Sequence, residues 1–206
     1  MTLLDERPAA ATTSDPAPAP APAPRRRARG RLPGDPTPEE RLARIVRVDH
    51  AGEYGAKRIY EGQIAVMGKG RHGRTLRHMA DQELEHLRYF EKELTARRVR
   101  PTALQPVWHV TGFLLGAGTA VLGERAAMAC TVAVEEVIEG HYEDQLKHLG
   151  PEEAELKEAI LTFQAEEVEH RDIGLVNGAE QAPAYPVLSA AIKAGTRAVI
   201  WLAERV

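Results

Sequence analysis

Two glutamate–histidine pairs carry the chemistry this sequence is able to do. Glu83 and His86 stand three residues apart, and so do Glu167 and His170. On an α-helix that spacing projects both side chains from one face. Of the eight histidines, only these two follow a glutamate at that distance. Each pair also has an upstream partner: Glu53 precedes Glu83 by 30 residues, and Glu135 precedes Glu167 by 32. The pattern Glu … Glu-x-x-His therefore occurs twice. One such motif on a charged helix is usually accidental; two copies, each with a glutamate one helix upstream, are far harder to obtain by chance. Four carboxylates and two imidazoles match the charge and donor needs of two divalent cations. A carboxylate–imidazole set suits iron or manganese, whereas thiolates would favour zinc or copper(I). Two irons are the expected cofactor, because adjacent iron(II) ions can reduce O2. Without metal, carboxylates on inward faces would have to be protonated or would cost several kcal/mol each to desolvate.

These residues need helices to position them, and the periodicity supplies six. The first opens at Thr37, where Thr-Pro-Glu-Glu offers an N-cap, a proline at the first position and a capping-box Glu40. It runs to about Gly68–Gly73. Gly52 and Gly55 flank Glu53 inside it; each costs about 1 kcal/mol relative to alanine in a helix, which implies close packing or room for a ligand. A second helix, about 75–97, carries Glu83 and His86 on its apolar stripe with Met79, Phe90 and Leu94. A fourth, about 124–149, places Glu135 with Met128, Val132, Ile138 and Tyr142. A fifth opens at Pro151, aligns Glu167 and His170 with Leu156, Ile160 and Phe163, and is expected to end over Gly174, Gly178 and Pro183. Glu85, Glu136, Glu139, Glu166 and Glu169 compete for attention. Helical phase sets Glu169 about 200° from Glu167, which removes it from the ligands; Glu166 stands about 100° from Glu167, and Glu166→Gln is expected to be much milder than Glu167→Gln if Glu166 is not a ligand.

The fold class is therefore all-α: a ferritin-like four-helix bundle built from helices one, two, four and five, with two additional apolar or amphipathic helices. The third helix falls in 102–123, which contains no Asp, Glu, Lys or Arg. Its apolar part is short against the ~20 residues of a membrane span, and it is expected to be buried or to lie in a membrane interface. The sixth, about 185–205, sets Leu188, Ile192, Val199, Trp201 and Leu202 against Lys193 and Arg197. Residues 37–206 make the bundle domain. Residues 1–36 read as a disordered tail, with alternating prolines and alanines followed by Arg25, Arg26, Arg27, Arg29 and Arg31.

Composition narrows the function classes. A net charge of −3 gives no reason to expect nucleic acid as a partner. The single cysteine, Cys130, excludes a disulfide framework and an all-cysteine iron–sulfur cluster, and its apolar setting makes it a small core residue. Gly116-Ala-Gly118 lacks the third glycine of a dinucleotide fingerprint, so a reductant binds otherwise or comes from a partner. His141 and Tyr142 follow Glu135 by six and seven residues. They read either as a structural hydrogen-bonded pair or as a route for electrons or protons, which makes them the catalytic candidates. His50 is a candidate neighbour of the ligands.

Four segments resemble the demethoxyubiquinone hydroxylase family of ubiquinone biosynthesis: DHAGEYGA over 49–56, DQELEH over 81–86, ACTVAVEE over 129–136 followed by His141-Tyr142, and EEVEHRDIGL over 166–175. The ending, from APAYPVL at 182–188 through LAERV, is similar too. The resemblance spans roughly 41–206. It implies a carboxylate-bridged di-iron monooxygenase that adds a ring hydroxyl to a demethoxylated polyprenyl benzoquinol with O2. Glu53, Glu83, His86, Glu135, Glu167 and His170 are then the iron ligands. Glu83 and His86 would serve one iron and Glu167 and His170 the other. Further expectations are an electron donor such as NADH or a reductase, a membrane lipid surface, and other ubiquinone-biosynthesis proteins as partners. The expected location is peripheral, on the cytoplasmic face of a bacterial inner membrane or the matrix side of the mitochondrial one. Competing classes are iron storage or peroxide scavenging, for which two extra apolar helices have no use, and a membrane scaffold, which leaves the six-ligand pattern without purpose.

Overall fold

The computed structural model describes residues 34–206; the tail expected over 1–36, its arginine cluster included, lies almost wholly outside them. The described chain is all-α. Six helices follow in order: α1 (Pro38–Met67), α2 (Gly73–Ala96), α3 (Gln105–Val121), α4 (Glu124–Leu146), α5 (Ala154–Val176) and α6 (Tyr185–Ala203). Single 3-10 turns lie at Pro151–Glu153 and Ala179–Gln181. No strand occurs among the described residues.

The start of α1 follows local chemistry. The Thr37 side chain accepts from the Glu40 amide at 3.0 Å while the Glu40 carboxylate accepts from the Thr37 amide at 2.8 Å, so two of the amides a helix leaves orphaned are paired. The bundle is built from two helix pairs, α1 with α2 and α4 with α5, each holding one copy of the Glu … Glu-x-x-His pattern. Helix α4 is the central element. Its residues Ala126–Glu135 are all buried, as expected for a helix that is apolar nearly all round, and it packs on α5, α6 and α3. Cys130 sits inside this run, in the same apolar cluster as Phe90, Ile138 and Ile160.

Two boundaries differ from the periodicity. Helix α4 stops at Leu146, short of Leu149, and the turn at Pro151 is 3-10 before α5 proper begins; proline restricts the residue before it and donates no amide. Gly174 does not terminate α5. It lies within the helix, where a Cβ would come within 2.6 Å of the Val132 side chain and 3.2 Å of the Met128 carbonyl. The missing side chain lets α5 approach α4, which is the purpose of that glycine.

Helix α3 lies along α1 through a seam of glycines. A Cβ at Gly116 would collide with the Ile59 carbonyl, and one at Gly62 would lie 2.6 Å from the Ala117 amide nitrogen. Because backbone cannot yield as a flexible side chain can, Gly116→Val is expected to force α3 from α1. The cost is up to about 3 kcal/mol, the upper range for overpacking, and it would appear as a lowered urea midpoint. A midpoint equal to that of the unmodified chain would mean the seam is not tight. The opposite face of α3 exposes Val107, Val110, Leu114 and Val121. The helix is thus buried on one side and open on the other. Helix α6 packs on α4 and α1, burying Ile192 and exposing Val187 and Trp201. Among the described residues, no helix is long and apolar enough to cross a membrane.

Candidate metal centre

Glu53, Glu83, His86, Glu135, Glu167 and His170 come from α1, α2, α4 and α5, and all six are at most 1 % exposed. They form two overlapping groups. Glu53, Glu83, His86 and Glu167 offer atoms that all lie within 4.8 Å of one another, and so do Glu83, Glu135, Glu167 and His170. Glu83 and Glu167 belong to both. Each group therefore has one histidine and one glutamate of its own and shares two carboxylates with the other. Both histidines turn Nδ1 inward: that of His86 lies 3.3 Å from Glu167 and 3.4 Å from Glu53, and that of His170 lies 3.2 Å from Glu167 and 3.3 Å from Glu83.

Hydrogen bonding tests whether such a set fits cations. Buried polar atoms nearly always have a partner. Here Glu53 Oε2, both oxygens of Glu83, His86 Nδ1, Glu135 Oε2 and Glu167 Oε1 have none. Six unpartnered atoms from five side chains point into one space, so the donor set fits two hard cations. The electrostatics agree. Burial, with Glu167 and Glu53 beside it, pushes the Glu83 carboxyl well up; burial, with Glu167 and Glu83 nearby, does the same to Glu135. Glu167 goes the other way: burial opposes its charge, but the imidazoles of His170 and His86 beside it hold it at about 2. His86 rises to about 12 against its burial because Glu167 and Glu53 stabilise the imidazolium. Protons balance the carboxylates wherever cations do not.

The surrounding contacts extend the sequence repeat. Tyr60 stands seven residues after Glu53 and Tyr142 seven after Glu135, and they cross over. The Tyr60 hydroxyl donates to Glu135 Oε1 at 2.9 Å, and the Tyr142 hydroxyl donates to Glu53 Oε1. Gln63 and Gln145, ten residues after the same glutamates, cross over likewise to Thr131 and Asp49. Tyr60 was legible as the counterpart of Tyr142, at the same offset from its glutamate, but nothing local shows that the bond runs to the other helix.

Four other residues singled out by the sequence take their places around this set. Glu166 does touch the site, although outside the inner set: its carboxylate is 2.5 Å from Nε2 of His86. Helical phase placed it a quarter-turn from Glu167, and α5 presents that quarter-turn to α2. Glu136 and Glu139 are instead partnered by Lys193 and Arg171. His50 is buried with Nδ1 unpartnered and lies outside both groups. Its pKa is lowered by burial.

A cavity of about 580 Å³ opens beside the cluster between α1, α3, α4 and α6. Its walls include Ile59, Trp108, Leu115, Ile138, Ile192 and Val199, and Glu53, Asp49, His141 and Tyr142 supply its polar lining. Gly52 and Gly55 line it, and a Cβ at either would meet nothing within 4 Å. Of the two explanations for those helix-interior glycines, space is the correct one. Asp49, raised by burial, accepts from Gln145 at 2.6 Å and leaves Oδ2 unpartnered. His141 Nε2 is 2.7 Å from the same Gln145 amide.

Comparison with known proteins bears on this arrangement. The family model described as "Ubiquinone biosynthesis protein COQ7" matches residues 40–203. The 3-demethoxyubiquinol 3-hydroxylase of Rhodospirillum rubrum is 60% identical over 177 residues, covering 85% of this chain and 84% of the relative. The mitochondrial NADPH-dependent 3-demethoxyubiquinone 3-hydroxylase of Bos taurus is 54% identical over 170 residues, covering 81% and 78%. The mitochondrial 5-demethoxyubiquinone hydroxylase of Saccharomyces cerevisiae is 41% identical over 182 residues, covering 80% and 78%.

Proposed function

The chain belongs to the COQ7 family of ubiquinone biosynthesis proteins, and on that premise we propose that it is a 3-demethoxyubiquinol 3-hydroxylase, a monooxygenase that adds a ring hydroxyl to a demethoxylated polyprenyl benzoquinol. The observation that carries this reading is the apolar cavity whose polar lining includes Glu53, Tyr142, His141 and Asp49. It fits a polar aromatic ring at the cluster with a hydrocarbon tail behind it, and it has no use in iron storage. In this reading Glu53, Glu83, His86, Glu135, Glu167 and His170 would hold two irons, Glu83 and Glu167 being the two carboxylates common to both groups. When bound, the irons supply the electrons that activate O2.

The chain's own residues do the rest. The aliphatic walls bind the polyprenyl tail and keep water from the reacting ring. Asp49, through its unpartnered Oδ2, forms a hydrogen bond with a quinol hydroxyl. Tyr142 holds Glu53 in one orientation through its hydroxyl, and Tyr60 does the same for Glu135. His141 lines the cavity beside Gln145 and Asp49, and in this reading it exchanges a proton with the bound quinol. Electrons come from a reduced nicotinamide, directly or through a reductase, in keeping with the name of the bovine relative. The exposed apolar faces of α3 and α6 seat the protein peripherally on the membrane that carries the quinone.

The test is hydroxylation itself. The purified, iron-loaded chain, given demethoxyubiquinol, O2 and a reduced nicotinamide, is expected to form hydroxylated quinol whose new oxygen comes from labelled O2, read by mass spectrometry. Cells that accumulate the demethoxy precursor are expected to regain ubiquinone when given this chain. Failure in both settings would overturn the function. Flotation with anionic vesicles is expected to carry the protein upward; complete recovery in the lipid-free fraction would remove the peripheral placement alone.

A further inference from the structure

We infer that the two cation positions of this cluster are inequivalent, and that the one beside the cavity holds its ion more tightly because Glu166 stands behind His86. The inference rests on the two-metal reading proposed above and goes beyond it.

The two halves of the site match closely. Each has its own glutamate, its tyrosine donor seven residues from the other half's glutamate, and a histidine turning Nδ1 inward. The match breaks directly behind the histidines. The residue just before Glu83 is Gln82, and the one just before Glu167 is Glu166. Each reaches across to the opposite pair. His170 Nε2 meets the Gln82 amide oxygen at 3.0 Å, whereas His86 Nε2 meets the Glu166 carboxylate at 2.5 Å. One imidazole is thus backed by a neutral group and the other by an anion.

The difference has two consequences, and they act in the same direction. An imidazole whose outer N–H donates to a carboxylate is fixed in orientation and is a more basic donor at its inner nitrogen. The carboxylate also adds a negative charge near one position only. A doubly charged ion gains more from that charge than the single proton it displaces from His86. The Glu166 side chain is 33% exposed, so water screens part of its charge but leaves the hydrogen bond in place. The favoured position is the one next to the cavity, because its own glutamate, Glu53, is the member of the cluster that lines it. The tighter ion therefore stands beside the cavity, and the weaker one lies away from it, beside Glu135 and His170.

Titration of the metal-free full chain with Mn(II), followed by electron paramagnetic resonance and calorimetry, is expected to show two steps. Crystals prepared with one equivalent of Mn(II) are expected to place most of the anomalous density beside His86. Glu166→Gln should weaken the tight step by ~10–100-fold, the usual effect of losing a group behind a metal-bound histidine, and even out the two occupancies. Gln82→Glu should strengthen the weaker step. Circular dichroism checks that both variants keep their helices. Equal occupancy at one equivalent in the unmodified chain, or a Glu166→Gln variant that weakens both steps alike, would overturn the inference and leave the two-metal reading intact. A chain that binds neither Mn(II) nor iron would remove that reading, and this inference with it.

Discussion

Glu167→Gln is expected to abolish both two-ion loading and quinol hydroxylation while leaving the helices in place. Glu167 belongs to both halves of the cluster, and its carboxylate faces Nδ1 of both histidines at 3.2–3.3 Å. Glutamine keeps the shape but removes the anion, and it turns an amide donor or a weaker acceptor toward two ions at once. Changes around metal sites commonly lower affinity or activity ~10–100-fold; a residue serving both ions belongs at or beyond the upper end. Glu135→Gln, which touches one half, should retain one ion. Glu85→Gln, two residues from Glu83 but exposed on the outer face of α2, should behave like the unmodified chain. Metal content per chain and product yield check all three. Two ions and full turnover in the Glu167 variant would remove it from the ligand set.

The second large effect concerns the cavity. Gly55→Leu should raise or preserve the thermal midpoint yet lower kcat/KM for a long-chain quinol by about 100-fold, an estimate for a tail that no longer fits its apolar site. Glycine inside a helix is about 1 kcal/mol worse than leucine, so the helix itself gains. A Cβ at Gly55 meets nothing within 4 Å because the position borders the cavity, and the leucine side chain then occupies the space meant for substrate. Gly140→Leu is the matching control. Gly140 is exposed on α4, its added Cβ also meets nothing, and it does not line the cavity. Metal loading should be normal in both variants. An active Gly55 variant would mean that the substrate reaches the cluster by another path.

These expectations combine two kinds of knowledge. Local sequence determined the helices, because caps, prolines and apolar periodicity act over a few residues: the capping box at Thr37, the breaks at Gly68–Gly73 and Gly150–Pro151, and the apolar stripe that carries Glu83 and His86. It also singled out the six residues that converge, since charged side chains on an inward face need cations or protons. Tertiary packing decided everything that depends on how one helix is rotated against another. That Glu83 and Glu167 are shared, that Tyr60 serves Glu135 and Tyr142 serves Glu53, and that Glu166 backs His86 are facts about facing surfaces. Helical phase within α5 places Glu166 about 100° from Glu167, but it does not say that α2 fills that direction. The glycines show the same division. Their backbone cost is legible from type and position alone; whether the missing side chain makes room for a cavity, as at Gly52 and Gly55, or for a neighbouring helix, as at Gly116 and Gly174, depends on what stands opposite.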